Sequence, residues 1–295
     1  MVTPRRRVAH SAAGMERYDC AGATPTCVAV VGDGIWVGFA DGRVRVVPGG
    51  DDIDAVGASV SCMATWADRV AVGDASGHVA MFRDAQLVDR RRLSSTSITA
   101  MAFSVMPLGN WEVAAASGNV LTLFAGAVRP RLQIRFDRTI SGVACADHRL
   151  YVTVVDSPVI TVVANGEKVG EIVAGSPITA LCGGPVAPGM NLAVACRDGS
   201  LYAVKGDGEQ AKVGEVDLPV TAVSAACGRA VACIGHFNGV KVAVDGKVVD
   251  PEPGADEWAH CLHAAGPAIA WATYDDEICL RRVALPDMDI GMAVS

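Results

Sequence analysis

Short runs of alternating apolar and polar residues, each closed by a tight turn, fill this chain from end to end. Ile35 to Ala40 turns at Asp41-Gly42 into Arg43 to Val47. Val70 to Gly73 turns at Ser76-Gly77 into His78 to Phe82, and Glu112 to Ala116 turns at Ser117-Gly118 into Asn119 to Phe124. Leu150 to Val155, Leu192 to Cys196, Val231 to Gly235 and Ala268 to Thr273 enter the same kind of turn, at Asp156-Ser157-Pro158, Asp198-Gly199, Asn238-Gly239 and Asp275-Asp276. A period of two marks a strand, and Gly, Asn or Asp accepts the positive φ that a tight hairpin needs. No window carries a sustained 3.6-residue apolar period with caps, so the pattern predicts almost no helix.

A short motif precedes each hairpin. Its copies are Pro25-Thr26-Cys27-Val28, Val60-Ser61-Cys62-Met63, Ser97-Ile98-Thr99-Ala100, Ile140-Ser141-Gly142-Val143, Pro177-Ile178-Thr179-Ala180, Pro219-Val220-Thr221-Ala222 and Trp258-Ala259-His260-Cys261. Aligned on Cys27, Cys62, Thr99, Gly142, Thr179, Thr221 and His260, they recur at steps of 35 to 43 residues. That spacing is close to the ~40–45 residues of a four-stranded propeller blade. The sequence therefore predicts an all-β fold: a single seven-bladed, WD-repeat-like β-propeller with four-stranded antiparallel blades. Each unit shows three clear strands and a variable outer element, as at Gln86 to Arg91, Arg131 to Phe136 and Lys168 to Val173. Ring closure needs an outer strand for the last blade, and Glu16 to Asp19 is its natural donor. Residues 15–285 form the expected propeller, with a basic tail at 1–14 and a second tail at 286–295.

Composition narrows the function. Half the residues are apolar and 19% are charged, enough for a large core and too apolar for disorder. A net charge of −7 leaves no overall electrostatic footprint for nucleic acid or an anionic membrane surface. No apolar run reaches the ~18 residues of a membrane span. Met1 to Ala13 carries Arg5, Arg6 and Arg7 without an acidic residue; it reads as a solvated tail, with a transit peptide or a nuclear signal as alternatives. Ten scattered cysteines without a C-x-x-C pair read as buried small hydrophobes in a reducing compartment.

Reactive constellations are missing. There is no G-x-S-x-G, P-loop, G-x-G-x-x-G or H-E-x-x-H. Only His260 and His263 are close, and residues three apart on a strand point to opposite faces. The Asp275-Asp276-Glu277 run lacks the alternating acidic spacing of a calcium loop and reads as a solvated turn. The expectation is a non-enzymatic protein without cofactor or metal. The predicted turns share one rim, and Phe39, Arg43, His78, Arg197, His236, Phe237 and Tyr274 are the groups there able to grip a peptide; aromatic and Arg side chains are typical hot spots.

The chain resembles the Bub-type mitotic-checkpoint propellers and their sisters, the Rae-type messenger-RNA export propellers. The resemblance lies in Ile140-Ser141-Gly142-Val143-Ala144-Cys145-Ala146-Asp147-His148-Arg149-Leu150-Tyr151-Val152, in Cys196-Arg197-Asp198-Gly199-Ser200-Leu201-Tyr202-Ala203-Val204, in Leu218-Pro219-Val220-Thr221-Ala222-Val223, and in Ala268-Ile269-Ala270 followed by Ile278-Cys279-Leu280-Arg281-Arg282-Val283. The Trp-Asp signature of ordinary WD repeats is absent, and Ser200 stands where the family has an Arg, with Arg197 two residues before the Gly as the nearest substitute. What the resemblance implies is a scaffold that binds a short, partly helical, acidic segment of a checkpoint kinase or pseudokinase at the kinetochore, or of a nucleoporin, in the nucleus or cytoplasm. A structural subunit of a coat, ciliary, nuclear-pore or organellar assembly is the alternative. In either case the partner is a protein in a heteromeric complex, with no nucleic acid and no membrane.

Overall fold

The computed structural model describes residues 15–105, 111–125, 128–216, 220–226, 230–235, 240–244, 247–249, 259–265 and 268–282. The strands follow chain order. β1 is Met15–Asp19. Blade one holds β2 (Pro25–Val31), β3 (Gly34–Phe39), β4 (Arg43–Val47) and β5 (Asp52–Asp54); blade two holds β6 (Val60–Trp66), β7 (Arg69–Asp74), β8 (His78–Arg83) and β9 (Gln86–Arg92). Blade three holds β10 (Ile98–Val105), β11 (Trp111–Ser117), β12 (Val120–Phe124) and β13 (Pro130–Arg135). Blade four holds β14 (Ile140–Ala146), β15 (Arg149–Val154), β16 (Val159–Ala164) and β17 (Glu167–Val173). Blade five holds β18 (Ile178–Ala187), β19 (Met190–Cys196), β20 (Ser200–Val204) and β21 (Gln210–Glu215). Blade six holds β22 (Val220–Ala226), β23 (Ala230–Gly235), β24 (Val240–Val244) and β25 (Lys247–Val249). β26 (Ala259–Ala265), β27 (Ala268–Thr273) and β28 (Glu277–Arg282) pair with β1 as the last sheet.

Among the described residues the strands pair into seven separate four-stranded sheets, and no strand is shared between two of them. The core gives the same number independently. Buried apolar residues fall into seven clusters, each between two neighbouring sheets: Trp36 meets Phe82 between blades one and two, with ring centroids 5.3 Å apart. The fold is thus a ring of sheets packed face to face, each burying both its faces against its neighbours, which is why so many strands read as continuous Val, Ala and Ile.

The ring closes through the chain's first described strand. β1 pairs antiparallel with β28, setting Arg17 opposite Cys279 and Asp19 opposite Glu277. The Arg17 guanidinium bridges to Glu277 at 3.1 Å, and the Cys20 amide donates to the Asp276 carbonyl. A sheet edge that would otherwise lie open at the end of the chain is thereby covered.

The outer strand is variable as expected: every described sheet has a fourth strand, as short as Asp52–Asp54 and as long as Gln86–Arg92. One sequence expectation needs correction, because the motif alignment is one residue out of phase in three blades. The equivalent positions are Thr26, Ser61, Thr99, Ser141, Thr179, Thr221 and His260, because in all seven innermost strands the register skips this residue in a β-bulge. A bulge leaves one residue unpaired in the ladder. Its side chain repairs the gap: Thr26 Oγ1 donates to the Gly38 carbonyl, Ser61 Oγ lies 2.5 Å from the Ile98 carbonyl of the next blade, and Thr99 Oγ1 reaches the Ile140 carbonyl of the next. The residue after the bulge is Cys, Ala or Gly in every blade, so small and polar residues alternate along the motif and a one-residue slip leaves no trace in the sequence. The tails 1–14 and 286–295 lie outside the described residues.

Candidate functional site

One face of the ring carries the turns between the second and third strands of each blade together with the links from one blade to the next. Most of the described turns are held by their own short polar side chains. Asp41 Oδ1 accepts the Arg43 amide, Asp198 Oδ1 the Ser200 amide, and Ser157 Oγ the Val159 amide. In blade two, Asp74 has no exposed surface and takes bonds from the amides of Ser76 and His78, from the Ser76 hydroxyl, and from His78 Nδ1 at 3.2 Å. Burial alone would raise its pKa, yet the His78 amide and the Ser76 hydroxyl and amide hold the carboxyl below the usual range.

The residues expected to grip a partner are placed as follows. Phe39 is not on the rim. It is 1% exposed, packs in the core between blades seven and one with Ile35 and Val37, and lies under the Arg45 guanidinium at 5.1 Å. It ends β3 in the same alternation as Ile35 and Val37, and that alternation turns its ring inward. Arg43 is on the rim but already engaged: Asp41 holds it at 2.5 Å and Asp52 pairs with it closely. Asp41 is lowered by that bond to Arg43, and Asp52 chiefly by its bond to Arg45. His78 belongs to the Asp74 turn. Arg197, half exposed, is ion-paired with Asp156 of the neighbouring blade. Tyr274 is 69% exposed and stacks edge-on against His260, at 5.1 Å between ring centroids. His236, Phe237 and the Asn238-Gly239 turn lie outside the described residues.

Two recesses open on this face. The larger, about 550 Å³, lies between blades three and four and is walled by Arg138, Asp156, Pro158, Lys168 and Glu171 among others. Lys168 spans it, donating to the Arg135 carbonyl at 3.0 Å with its ammonium 4.1 Å from the centre of the Phe136 ring. The smaller, about 300 Å³, sits where blade seven meets blade one and is lined by Thr24, Pro25, Thr26, His260, Tyr274 and Asp276. The sequence pointed to Tyr274 but not to the larger groove. Its walls come from a blade-to-blade link and an outer strand, and no local pattern reports how far two blades stand apart. The only clue was Asp137-Arg138, two charges in a short link.

The face is not a basic one. Its described turns and links expose Asp41, Asp137, Asp156, Asp198 and Asp275 beside Arg138 and Arg197, with Asp276 and Arg43 half-buried among them. Surfaces of mixed sign bind through matched pairs and apolar anchors rather than through a net field.

Reactive chemistry has little to work with among the described residues. No three His, Cys, Asp or Glu side chains gather as metal ligands there. His260 and His263 diverge: the first turns to Tyr274, while the second accepts the Val30 amide through Nδ1 at 3.1 Å. Glu277, from the acidic run, is taken by Arg17. Eight described cysteines, from Cys20 to Cys279, form no disulfide, and burial pushes Cys20, Cys62 and Cys261 up to about 12, where little thiolate exists near neutral pH. Cys227 lies outside the described residues, and Cys233 is described only in its backbone, on β23.

No protein-family model matches the sequence, and no curated protein matches it. Solved structures do. U3-55K superposes with a TM-score of 0.75 at 13% identity, covering 93% of this chain and 100% of that one. The β-propeller domain of Myceliophteria thermophila Cps50 (Swd1) gives 0.72 at 13%, with 89% and 98% covered. Virginiamycin B lyase from Staphylococcus aureus gives 0.73 at 13%, with 92% and 99% covered. A lyase stands beside the other two in this comparison, so at such identity the likeness establishes the β-propeller fold and nothing finer.

Proposed function

We propose that this chain is a non-enzymatic propeller scaffold that holds a segment of a partner protein across its turn-bearing face, seated in the groove between blades three and four. The observation that carries the reading is the groove itself. It is a recess of about 550 Å³, it opens on the face where the rim side chains project, and half-exposed Val155 and exposed Tyr274 supply apolar footholds on that face. The likeness to U3-55K and to the Cps50 (Swd1) β-propeller domain is compatible with this reading.

The segment that fits is of mixed charge with an apolar anchor, since Arg43 and Arg197 already have carboxylate partners. A checkpoint kinase-like or nucleoporin-like partner, with residence at the kinetochore or in the cytoplasm, is the finer form of this proposal and rests on the resemblance of blades four to seven alone. Membership of a larger structural assembly would use the same face.

Affinity purification with amine-reactive cross-linking tests the reading. Lys168 stands in the groove and Lys205 on the opposite face of the ring, so partner cross-links should concentrate on Lys168. Cross-links on Lys205 with none on Lys168 would place the partner on the other side. One partner joined through a short segment supports the scaffold; a large set of mutually bound subunits supports the assembly.

A further inference from the structure

Charge in this protein is distributed unevenly. Residues 83–138 hold eight basic side chains, all arginine, against four acidic ones, a balance of +4; the remaining residues hold 17 against 28, or −11. The arginines map to the outer strands of two adjacent blades. Arg83, Arg90, Arg91 and Arg92 lie on or beside β9, and Arg129, Arg131, Arg135 and Arg138 on or beside β13. All are exposed. The two groups are joined at the surface, because Asp89 of β9 accepts the Val128 amide at 2.9 Å while also holding Arg91.

The local acids do not neutralise this belt. Asp68 and Asp84 take Arg83, Asp89 takes Arg91, and Glu112 takes Arg131. Arg90 donates instead to the Asp54 carbonyl and Arg92 to the Ser94 carbonyl. Among the described residues Arg90, Arg92, Arg129, Arg135 and Arg138 have no carboxylate partner.

β9 is also an open edge. It is the outermost strand of its sheet, seven residues long, with β8 as its only neighbour in the sheet. Leu87 and Val88 are 44% and 59% exposed on it. An unpaired edge offers a row of N–H and C=O groups to an incoming chain. A single charge or a proline is enough to blunt such an edge; here three of the four charged residues on β9 are arginines, and they follow two exposed apolar residues.

From the free edge, the apolar pair and the unmatched guanidiniums together, we infer that β9 is a second docking site, which takes an extended, acidic segment of a partner protein as a fifth strand of blade two. Backbone bonds to the edge fix the segment, apolar side chains meet Leu87 and Val88, and carboxylates meet Arg90, Arg92 and Arg129 in charge-assisted pairs. The residues that would touch the segment, Leu87, Val88, Arg90, Arg92 and Arg129, line no part of the groove between blades three and four; of the belt only Arg138 does, and the docking on β9 does not require it.

The test uses the intact protein and a labelled peptide of about eight alternating Glu and Val residues, a length that matches one strand. Fluorescence anisotropy should show saturable binding that weakens with salt, and at least a roughly tenfold loss in the Arg90→Glu/Arg92→Glu variant. The same peptide with N-methylated alternate amides keeps its charge and loses its edge donors, so it should not bind the wild-type protein. Binding of both peptides alike would overturn strand addition, as would no binding at all. Tighter binding of a single-stranded oligonucleotide of equal charge would assign the belt to nucleic acid and overturn the proposal. A melt of the double variant separates lost contact from lost fold, and the N-methylated arm needs no variant.

Discussion

The backbone amide of Val30, in the inner strand of blade one, donates to Nδ1 of His263, in the inner strand of blade seven, at 3.1 Å. This bond spans the seam where the two ends of the chain meet. It requires a neutral imidazole nitrogen, and desolvation holds His263 at about 4, well below the ordinary 6.5.

The seam should therefore weaken in acid. An unfolded chain takes up this proton near pH 6.5, while the folded one resists until about 4, so the folded state loses stability as pH falls through that window. The limit is about 1.4 kcal/mol per pH unit; His263 keeps some surface, so the observed slope should be shallower. His263→Asn keeps an acceptor for Val30 and removes the titration. Its melting temperature should match the wild type at pH 7.5 and exceed it at pH 4.5. Parallel pH profiles for the two proteins would show that this histidine does not govern the seam.

Ser61 bridges blades two and three through the Ile98 carbonyl. Ser61→Ala leaves that carbonyl without this donor, at a cost of about 1–3 kcal/mol. A melting temperature lower by roughly 2–6 °C is expected from the usual scaling for large domains. Ser95→Ala, on an exposed link, should stay within about 0.5 kcal/mol of the wild type. Equal effects would mean that the bulge hydroxyl contributes nothing between blades.

Gly77 and Gly22 both sit at positive φ, +89° and +78°. A Cβ on Gly77 would collide with the backbone carbonyl of Ser94, whereas one on Gly22 meets nothing within 4 Å. Gly22→Ala should cost only the conformational penalty, about 1 kcal/mol. Gly77→Ala must also displace the link into blade three, and its melt should fall at least about twice as far. Similar melts for the two variants would deny the close approach.

The sequence disclosed what is local and concealed what is not. Hairpins at Asp41-Gly42, Ser76-Gly77 and Asp198-Gly199 were legible because alternation and a glycine in the turn are near-neighbour signals. Phe39 was misassigned for want of counting: Ile35, Val37 and Phe39 share one face, and the turn begins only after it. The bulges hid because Cys, Thr, Ser and Gly substitute for one another in the motif. Arg197 looked like a free cation because its partner, Asp156, lies on the preceding blade. The groove at Lys168 depends on the spacing of two blades, which no stretch of residues encodes by itself.

The most direct test of the account is a quantitative comparison of what the protein retains when its two faces are altered in turn. Arg138→Glu in the groove wall with Val155→Asp on the turn beside it changes two exposed positions, and Asp51→Lys changes an exposed loop on the opposite face. Affinity purification with isotope-labelled quantification should show partners lost from the groove variant, by about tenfold or more, and kept by Asp51→Lys, while both variants melt as the wild type does. Partners kept by the groove variant and lost from Asp51→Lys would contradict it.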